Sequence, residues 1–222
     1  MDQSTKLRAA IAVLTLLYAA LVPAQDRSTD RTGRWYVGGA IGRGGYDTDF
    51  ERTKAIVRST GATTFNVSAN GTDTMGKAYV GYSFSRYVSL EGGYWNFGRV
   101  SISTSISAPA ATSMQRHISG DGYGADAVLW MPVNDIFSGM VRAGAIWTTV
   151  KATASDPGAG LSALPAESSQ KVDAHWGLGV EYRLAPSAAA RFEFETVRKV
   201  GDNAIFGTAD VKLWTIGANY RF

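Results

Sequence analysis

Two histidines, one of them close to a serine, are the residues whose types and spacing best fit catalysis in this chain of 222 residues. His117 and Ser119 are separated by one residue, so in a strand both side chains point to the same face, as a general base and its nucleophile require. The triplet is a weak motif, and Asp121, which has the same parity, would lie about 7 Å further along the strand. His175 begins another segment beside Trp176, where we expect a structural role at an interface. We therefore predict no catalytic residue and no enzymatic activity.

Candidate metal ligands are equally sparse. Asp47 and Asp49 lie in a polar stretch, where two carboxylates would bind a divalent cation weakly, and solvated charge is the preferred interpretation. The chain has no Cys, which excludes disulfides, thiolate zinc sites and cysteine nucleophiles together. The sequence predicts no metal site and no cofactor.

A third group of reactive side chains consists of acids and bases that alternate with apolar residues. Its members are Glu91, Asp126, Arg142, Glu181, Arg183, Glu193 and Glu195. Because successive residues of a strand point to opposite faces, these charges occupy the face opposite the aromatic residues. A lone charge inside a protein costs several kcal/mol, so the acids and bases are expected to pair in one network.

These charges lie on segments with a period of two residues, which is typical of two-faced β-strands. The alternation is clearest over 213–222 and 176–184, and eight such segments occur along the chain. Aromatic residues sit near both ends of the apolar face. The predicted interface aromatics are Trp35, Tyr82, Phe84, Tyr94, Trp147, Trp176, Trp214, Tyr220 and Phe222.

The connections between the segments alternate in length. Tight turns are predicted at 85–86, 132–134 and 185–187, and long polar stretches at 45–74, 99–117, 152–169 and 201–209. Within these stretches, the Ser-, Thr- and Ala-rich parts 101–113 and 152–169 are interpreted as flexible loop tips. Short turns at one end and long loops at the other describe an all-β, eight-stranded antiparallel up-and-down barrel.

The polarity of the two faces predicts where this barrel resides. Aromatic residues at both ends of an apolar face are typical of surfaces that contact lipid, with the charged face turned inward. Lipid cannot satisfy backbone amides, so a sheet in a membrane must close on itself. The alternative is a soluble, lipocalin-like barrel, which would need its aromatics inside and its charges outside.

The N-terminal residues predict export. Lys6 and Arg8 precede an apolar run over 9–22, which is shorter than the roughly 20 residues of a spanning helix. Small residues at Val22 and Ala24 complete a secretory signal pattern. We predict a signal peptide over 1–24 with cleavage after Ala24, a polar leader over 25–33 and an outer-membrane β-barrel over 34–222.

Composition excludes two other classes. Aromatic residues make up 11% of the chain and charged residues 18%, which argues against intrinsic disorder. The formal net charge of +3 is too small to indicate nucleic-acid binding.

The sequence resembles the OmpA-like eight-stranded outer-membrane barrels, including the opacity-type surface proteins, over 35–39, 81–94 and 215–222. The resemblance implies that inner Glu91, Arg142 and Glu193 belong to a charge network that fills the lumen. Ala40 stands where relatives carry a basic residue, which implies a thinner network on that side. The resemblance also implies that Tyr220 and Phe222 form the C-terminal signal that the barrel-assembly machinery recognises. Two-domain relatives continue into a cell-wall domain, and this chain ends at Phe222, so tethering is not expected.

The predicted function is therefore that of an integral protein of the bacterial outer membrane, with a structural and surface-contact, adhesion-like role through its long extracellular loops. Expected partners are outer-membrane lipids, lipopolysaccharide, the assembly machinery and host or surface ligands. The first long stretch is basic, with Arg52, Lys54 and Arg58, and Arg43 lies just before it. The alternatives are a narrow porin or channel for small solutes and a lipid A-modifying enzyme.

Overall fold

The computed structural model describes residues 31–48, 58, 61, 63–70, 72–108, 112–155, 167–202 and 207–222. Its strands are β1 (Arg34–Thr48), β2 (Thr64–Asn70), β3 (Thr72–Ser83), β4 (Val88–Ala108), β5 (Thr112–Pro132), β6 (Phe137–Ser155), β7 (Glu167–Arg183), β8 (Ala188–Asp202) and β9 (Gly207–Arg221). The predicted signal peptide and residues 25–30 of the leader lie outside the described residues, as do Asp49, Arg52 and Lys54.

No helix in the described part of the chain is long and apolar enough to cross a membrane.

The strands form one closed antiparallel sheet. From β3 to β9 each strand pairs with the next in sequence, and β1 closes the barrel by pairing with both β3 and β9. Both β2 and β3 pair with β4, β3 along its first half and β2 along its second, so together they occupy one position in the wall. The predicted eight-stranded up-and-down barrel is therefore confirmed.

The outer face changes character at one level, which we call the boundary row. It consists of Tyr94, Tyr123, Trp147 and Val172, which are register partners on β4 to β7. Between this row and the short turns, the outward side chains are apolar, for example Leu90, Leu129, Val141, Leu178 and Ile216.

The stem is the part of β4 to β7 on the other side of the boundary row: residues 96–108, 112–121, 149–155 and 167–170. Its outward parity carries Asn96, Arg99, Ser101, Ser103, Ser105, Ser107, Ser113, Gln115, His117, Ser119, Asp121, Thr149, Lys151, Thr153, Ser168 and Gln170. Its inward parity carries buried Val100, Ile102, Ile106 and Val150. The polarity of the two faces is thus reversed across the boundary row.

The stem corrects the prediction of long loops. Residues 99–108 and 112–117 are strand, as are 152–155 and 167–169, so the interpretation of 101–113 as a flexible tip is wrong for all but the few residues outside the described part. Ile and Val alternate with Ser and Thr over 100–106, and the β-branched residues become buried when the strands pair. Composition suggested a loop where the alternation indicated a strand.

Two β-bulges lie just past the level where the polarity reverses. The register shifts between Asn96 and Arg99 on β4, where Gly98 has a φ of 69° that favours glycine. A second shift separates Val197 and Val200 on β8. In each bulge an aspartate on the neighbouring strand accepts a backbone N–H, as Asp73 does from Arg99 at 2.7 Å.

Candidate functional site

A fully buried guanidinium, that of Arg142 on β6, lies at the centre of the barrel interior. Its Nη1 lies 2.8 Å from Glu193 Oε2 and 2.9 Å from Glu195 Oε1. Its Nη2 lies 3.1 Å from Asp126 Oδ2 and also contacts Glu91. One cation therefore joins carboxylates from three other strands, β4, β5 and β8.

Glycines on β7 provide the space for this cluster. A Cβ on Gly177 would lie 3.2 Å from Arg142 Cγ and 3.0 Å from Glu195 Cγ. A Cβ on Gly179 would lie 2.8 Å from Glu193 Cγ. The inner face of β7 has no side chain at these two positions, so long charged side chains from β6 and β8 can cross it.

Lys77 on β3 is a second cation of the cluster. Its Nζ lies 2.8 Å from Glu193 Oε1 and also contacts Glu195. Lys77 is the register partner of Ala40, the position at which the resemblance implied a missing base. The neighbouring strand therefore supplies the positive charge that β1 lacks.

Arg191 on β8 is the third cation. Its Nη1 lies 2.8 Å from Glu91 Oε1, and its guanidinium carbon lies 4.8 Å from the ring centre of Tyr79 and 5.0 Å from that of Trp130. Tyr36 donates its hydroxyl to the same Glu91 oxygen at 2.8 Å. Aromatic rings therefore line this side of the cluster.

His175 lies inside the barrel, 2% exposed, so the expectation that it occupies an interface is wrong. Its Nδ1 lies 2.8 Å from Asp126 Oδ1, and its Nε2 lies 3.3 Å from Glu195 Oε2. Trp95 packs against the imidazole edge-on at 5.4 Å and donates its indole N–H to Glu195 at 3.1 Å. A protonated His175 would give the cluster four cations, with Lys77, Arg142 and Arg191, to match its four carboxylates.

A smaller group surrounds Glu181 near the short turns. Its carboxylate accepts hydrogen bonds from Asn219 at 2.8 Å, from Arg31 at 3.4 Å and from Arg221. Arg191 Nη2 lies 3.5 Å from Glu181 Oε2 and connects this group to the central cluster.

The seven charges singled out in the sequence therefore separate by position. Five meet in the central cluster, Glu181 belongs to the smaller group, and Arg183 is half-buried at the end of β7. Sequence reasoning missed Lys77, Arg191, His175, Arg221 and Arg31. Lys77, Arg191 and Arg221 each had a usable signal, because they share the inward parity of their strands.

An apolar cluster lies inside the barrel on the side of the charges that faces the stem. It consists of Met75, Trp95, Phe97, Ile146, Val150, Val197, Val200, Val211 and Leu213, with Tyr46 and Ile118 packed against it. In the described residues no group of three or more acidic or histidine side chains has a geometry that could hold a metal ion. The arrangement can cross-link the strands and fill the lumen with paired charge below and apolar side chains above.

The family model of the outer membrane protein beta-barrel domain matches residues 11–222. The chain belongs to this family. It is 28% identical to outer membrane protein A of Shigella flexneri over 217 residues, which is 97% of this chain and 56% of that protein. The chain thus spans about half the length of the curated relatives it matches.

A solved structure shows the same fold. The outer membrane protein OprG from Pseudomonas aeruginosa superposes with a TM-score of 0.55 at 13% identity, over 86% of this chain and 97% of that one. Ail of Yersinia pestis, in complex with the heparin analogue sucrose octasulfate, gives a TM-score of 0.46 at 17% identity over 85% and 99%. With the family match, this fold makes the chain an outer-membrane β-barrel protein.

Barrels of this family place their short turns in the periplasm and their long loops outside the cell. The turns after β3, β5 and β7 are therefore periplasmic and the stem is extracellular. All nine aromatics singled out in the sequence lie on outward parities. Near the periplasmic end, the ring centre of Tyr82 lies 5.0 Å from that of Trp35 and 5.0 Å from that of Phe84. Tyr94 and Trp147 lie on the boundary row.

The His117 and Ser119 pair lies on the outward face of the stem. His117 Nδ1 is 2.9 Å from the hydroxyl of Ser101, its register partner on β4. The described hydrogen bond of the imidazole therefore joins two strands.

The central cluster makes a prediction about stability. Arg142→Met removes the cation shared by the carboxylates and should lower the free energy of unfolding by about 3–5 kcal/mol, because the acids stay buried without it. The measurement is urea unfolding in lipid vesicles, followed by tryptophan fluorescence. The matched control is Arg198→Met, whose ion pair with Asp210 is 3.3 Å long and largely exposed, and which should cost less than about 1 kcal/mol. Equal decreases in the free energy of unfolding in the two variants would show that the ion pairs of Arg142 do not stabilise the barrel.

Proposed function

We propose that this protein is a structural component of the outer membrane whose stem and extracellular loops make adhesion-like contacts with acidic polymers at the cell surface. The observation that carries the proposal is the reversal of polarity at the boundary row. A stem with polar side chains outside and apolar side chains inside is suited to aqueous surroundings beyond the bilayer.

The length of the stem supports a role beyond the lipid surface. On β4 it runs from Asn96 to Ala108, which corresponds to roughly 30 Å along the barrel axis for tilted strands. A barrel that only spans the bilayer has no need for this extension. The stem therefore extends well beyond the lipid headgroups.

Two exposed cations on the stem supply the charge for such contacts. Arg99 and Lys151 both pair with Ser119, one from each side, so they lie two strands apart, about 10 Å, with a serine between them. No acidic partner of either side chain occurs among the described residues. An acidic group such as a phosphate or sulfate fits between the two cations.

Further exposed basic residues occur outside the stem. Arg43 is exposed on the outward parity of β1, and Arg58 is exposed with its guanidinium carbon 5.7 Å from the ring centre of Phe65. Arg52 and Lys54 belong to the same stretch of sequence but lie outside the described residues. The exposed cations among the described residues suit lipopolysaccharide, host polysaccharides or other acidic surface ligands.

Binding to a polyanion tests the proposal. Protein in phosphatidylcholine nanodiscs should bind immobilised heparin, a model sulfated polysaccharide, and the double variant Arg99→Gln/Lys151→Gln should bind about thirtyfold more weakly. The reason is that each cation facing an anionic surface contributes roughly 1 kcal/mol. Arg198→Gln removes an exposed charge already paired with Asp210 and should change affinity much less. Undiminished binding by the double variant would rule out the stem as the contact surface.

A narrow channel is the alternative function, and the interior argues against it. A conducting path would have to pass both the buried ion pairs of Arg142 and the apolar cluster. Neither the wild type nor Arg142→Met should produce reproducible conductance steps in planar bilayers, with insertion verified by the gel shift between unheated and boiled samples. Wild-type steps that the variant alters would establish a pore lined by these charges.

The proposal includes no enzymatic activity on lipid A. The imidazole of His117 is engaged by Ser101 across the strand pair, which supports a structural role for it.

The C-terminal aromatics are proposed to be the signal for the assembly machinery. Phe222 is exposed, packs against Tyr220 with ring centres 5.5 Å apart, and donates its backbone N–H to Trp35 O at 3.0 Å. Phe222→Ala should reduce the amount of folded protein in the outer membrane of cells without slowing refolding in detergent. Phe84→Ala, at the same end and similarly exposed, is the control. If both variants assemble as the wild type does, the terminal aromatic is not a signal.

A further inference from the structure

A cavity of about 210 Å³ lies at the periplasmic end of the barrel. Three arginines line it, Arg31 from the segment before β1, Arg86 from the turn after β3 and Arg183 from the end of β7. Ser138 and the turn after β5 complete the wall. The cavity belongs neither to the central cluster nor to the stem.

Positive charge exceeds negative charge around this cavity. Its lining contains one acid, Asp135, for three arginines. The adjoining carboxylate, Glu181, is already engaged by Arg221, by Asn219 and by Arg191 at 3.5 Å. The lining of the cavity therefore carries more positive than negative charge.

The side chain of Arg31 is held in place. Its Nη2 donates to Ser138 at 3.1 Å and to Glu181 at 3.4 Å, and its guanidinium carbon lies 4.0 Å from the ring centre of Trp130. Its other terminal nitrogen, Nη1, is buried and has no hydrogen-bond partner in the described part of the structure. Arg31 therefore lines the cavity in an orientation fixed by Ser138, Glu181 and Trp130.

We propose that this cavity binds a phosphate group at the periplasmic mouth of the barrel. Guanidinium groups match phosphate oxygens with paired hydrogen bonds, and arginines from three segments line this cavity. The cavity is smaller than the roughly 300–1,000 Å³ of sites that enclose whole ligands, so it accommodates a phosphate group and not a large molecule. The phosphate comes from one of two sources, free phosphate of the periplasm or the headgroup of an anionic phospholipid in the inner leaflet.

Trp130 provides a local reporter for the test. Its indole N–H donates to Ser89 at 2.9 Å, and its ring is covered by Arg31. The indole resonance of Trp130 should shift saturably in a ¹⁵N-labelled sample, in a phosphate-free non-ionic detergent, when inorganic phosphate or short-chain phosphatidylglycerol is added. Trp147 lies on the boundary row at the other end of the spanning region and should not shift. Chloride at equal ionic strength should move neither resonance.

The variants identify the site. Arg86→Gln/Arg183→Gln should weaken binding at least about tenfold, because charge-assisted hydrogen bonds are lost. Arg86→Gln alone, a change in an exposed turn, secures the test if the double variant does not fold, and should also weaken binding. Arg198→Gln removes the same charge at the extracellular end and should leave binding unchanged.

The two probes distinguish the sources. A shift with phosphate alone supports a site for the free anion, a shift with the lipid alone supports a headgroup site, and shifts with both support a site for the shared phosphate group. The proposal is overturned if neither probe shifts Trp130, if chloride shifts it equally, or if Arg198→Gln weakens binding as much as the variants at the cavity.

Discussion

The need to close the sheet in lipid is the constraint on which the rest of this structure depends. Hydrocarbon offers no partner for a free backbone amide, so the last strand must pair with the first, as β9 does with β1. Closure with eight positions leaves an interior just wide enough for side chains to fill. Charges such as Arg142 and Glu195 can be buried there only because they meet across the lumen and because the glycines of β7 leave them room.

The surroundings of each wall segment then decide which face is apolar. On the periplasmic side of the boundary row the outer face meets lipid, and the ion pairs lie inside the barrel, shielded from the lipid. On the extracellular side of the row the outer face meets water, and Val100, Ile102 and Ile106 are buried inside the sheet. The bulge between Asn96 and Arg99 lies beside this change. One chain thus forms a membrane barrel and, continuous with it, a stem that is stabilised as a soluble sheet is.

The distribution of charge along the barrel gives each level a different capacity. In the centre, carboxylates and cations are closely matched, which favours a sealed and rigid interior. At the periplasmic mouth, Arg31, Arg86 and Arg183 exceed the nearby acids, and on the stem Arg99 and Lys151 face outward without acidic partners among the described residues. Recognition of acidic groups is therefore expected at the two ends and not in the middle.

The sequence by itself determined the strands of the membrane-spanning region, their inward and outward parities and the barrel class, because a period of two residues is a local property that survives without any tertiary contact. The outward position of Trp214 and the inward position of Glu193 follow from parity alone. Only the closed structure decided which inward residues meet: that Lys77 stands opposite Ala40, that His175 lies between Asp126 and Glu195, and that Arg31 folds back to Glu181. Register and closure bring together residues as far apart in the sequence as Trp35 and Phe222, and no local pattern encodes such a pairing. The stem was missed because its serines and threonines suggested a loop, whereas strand pairing buries the alternate Ile and Val residues and makes it a sheet.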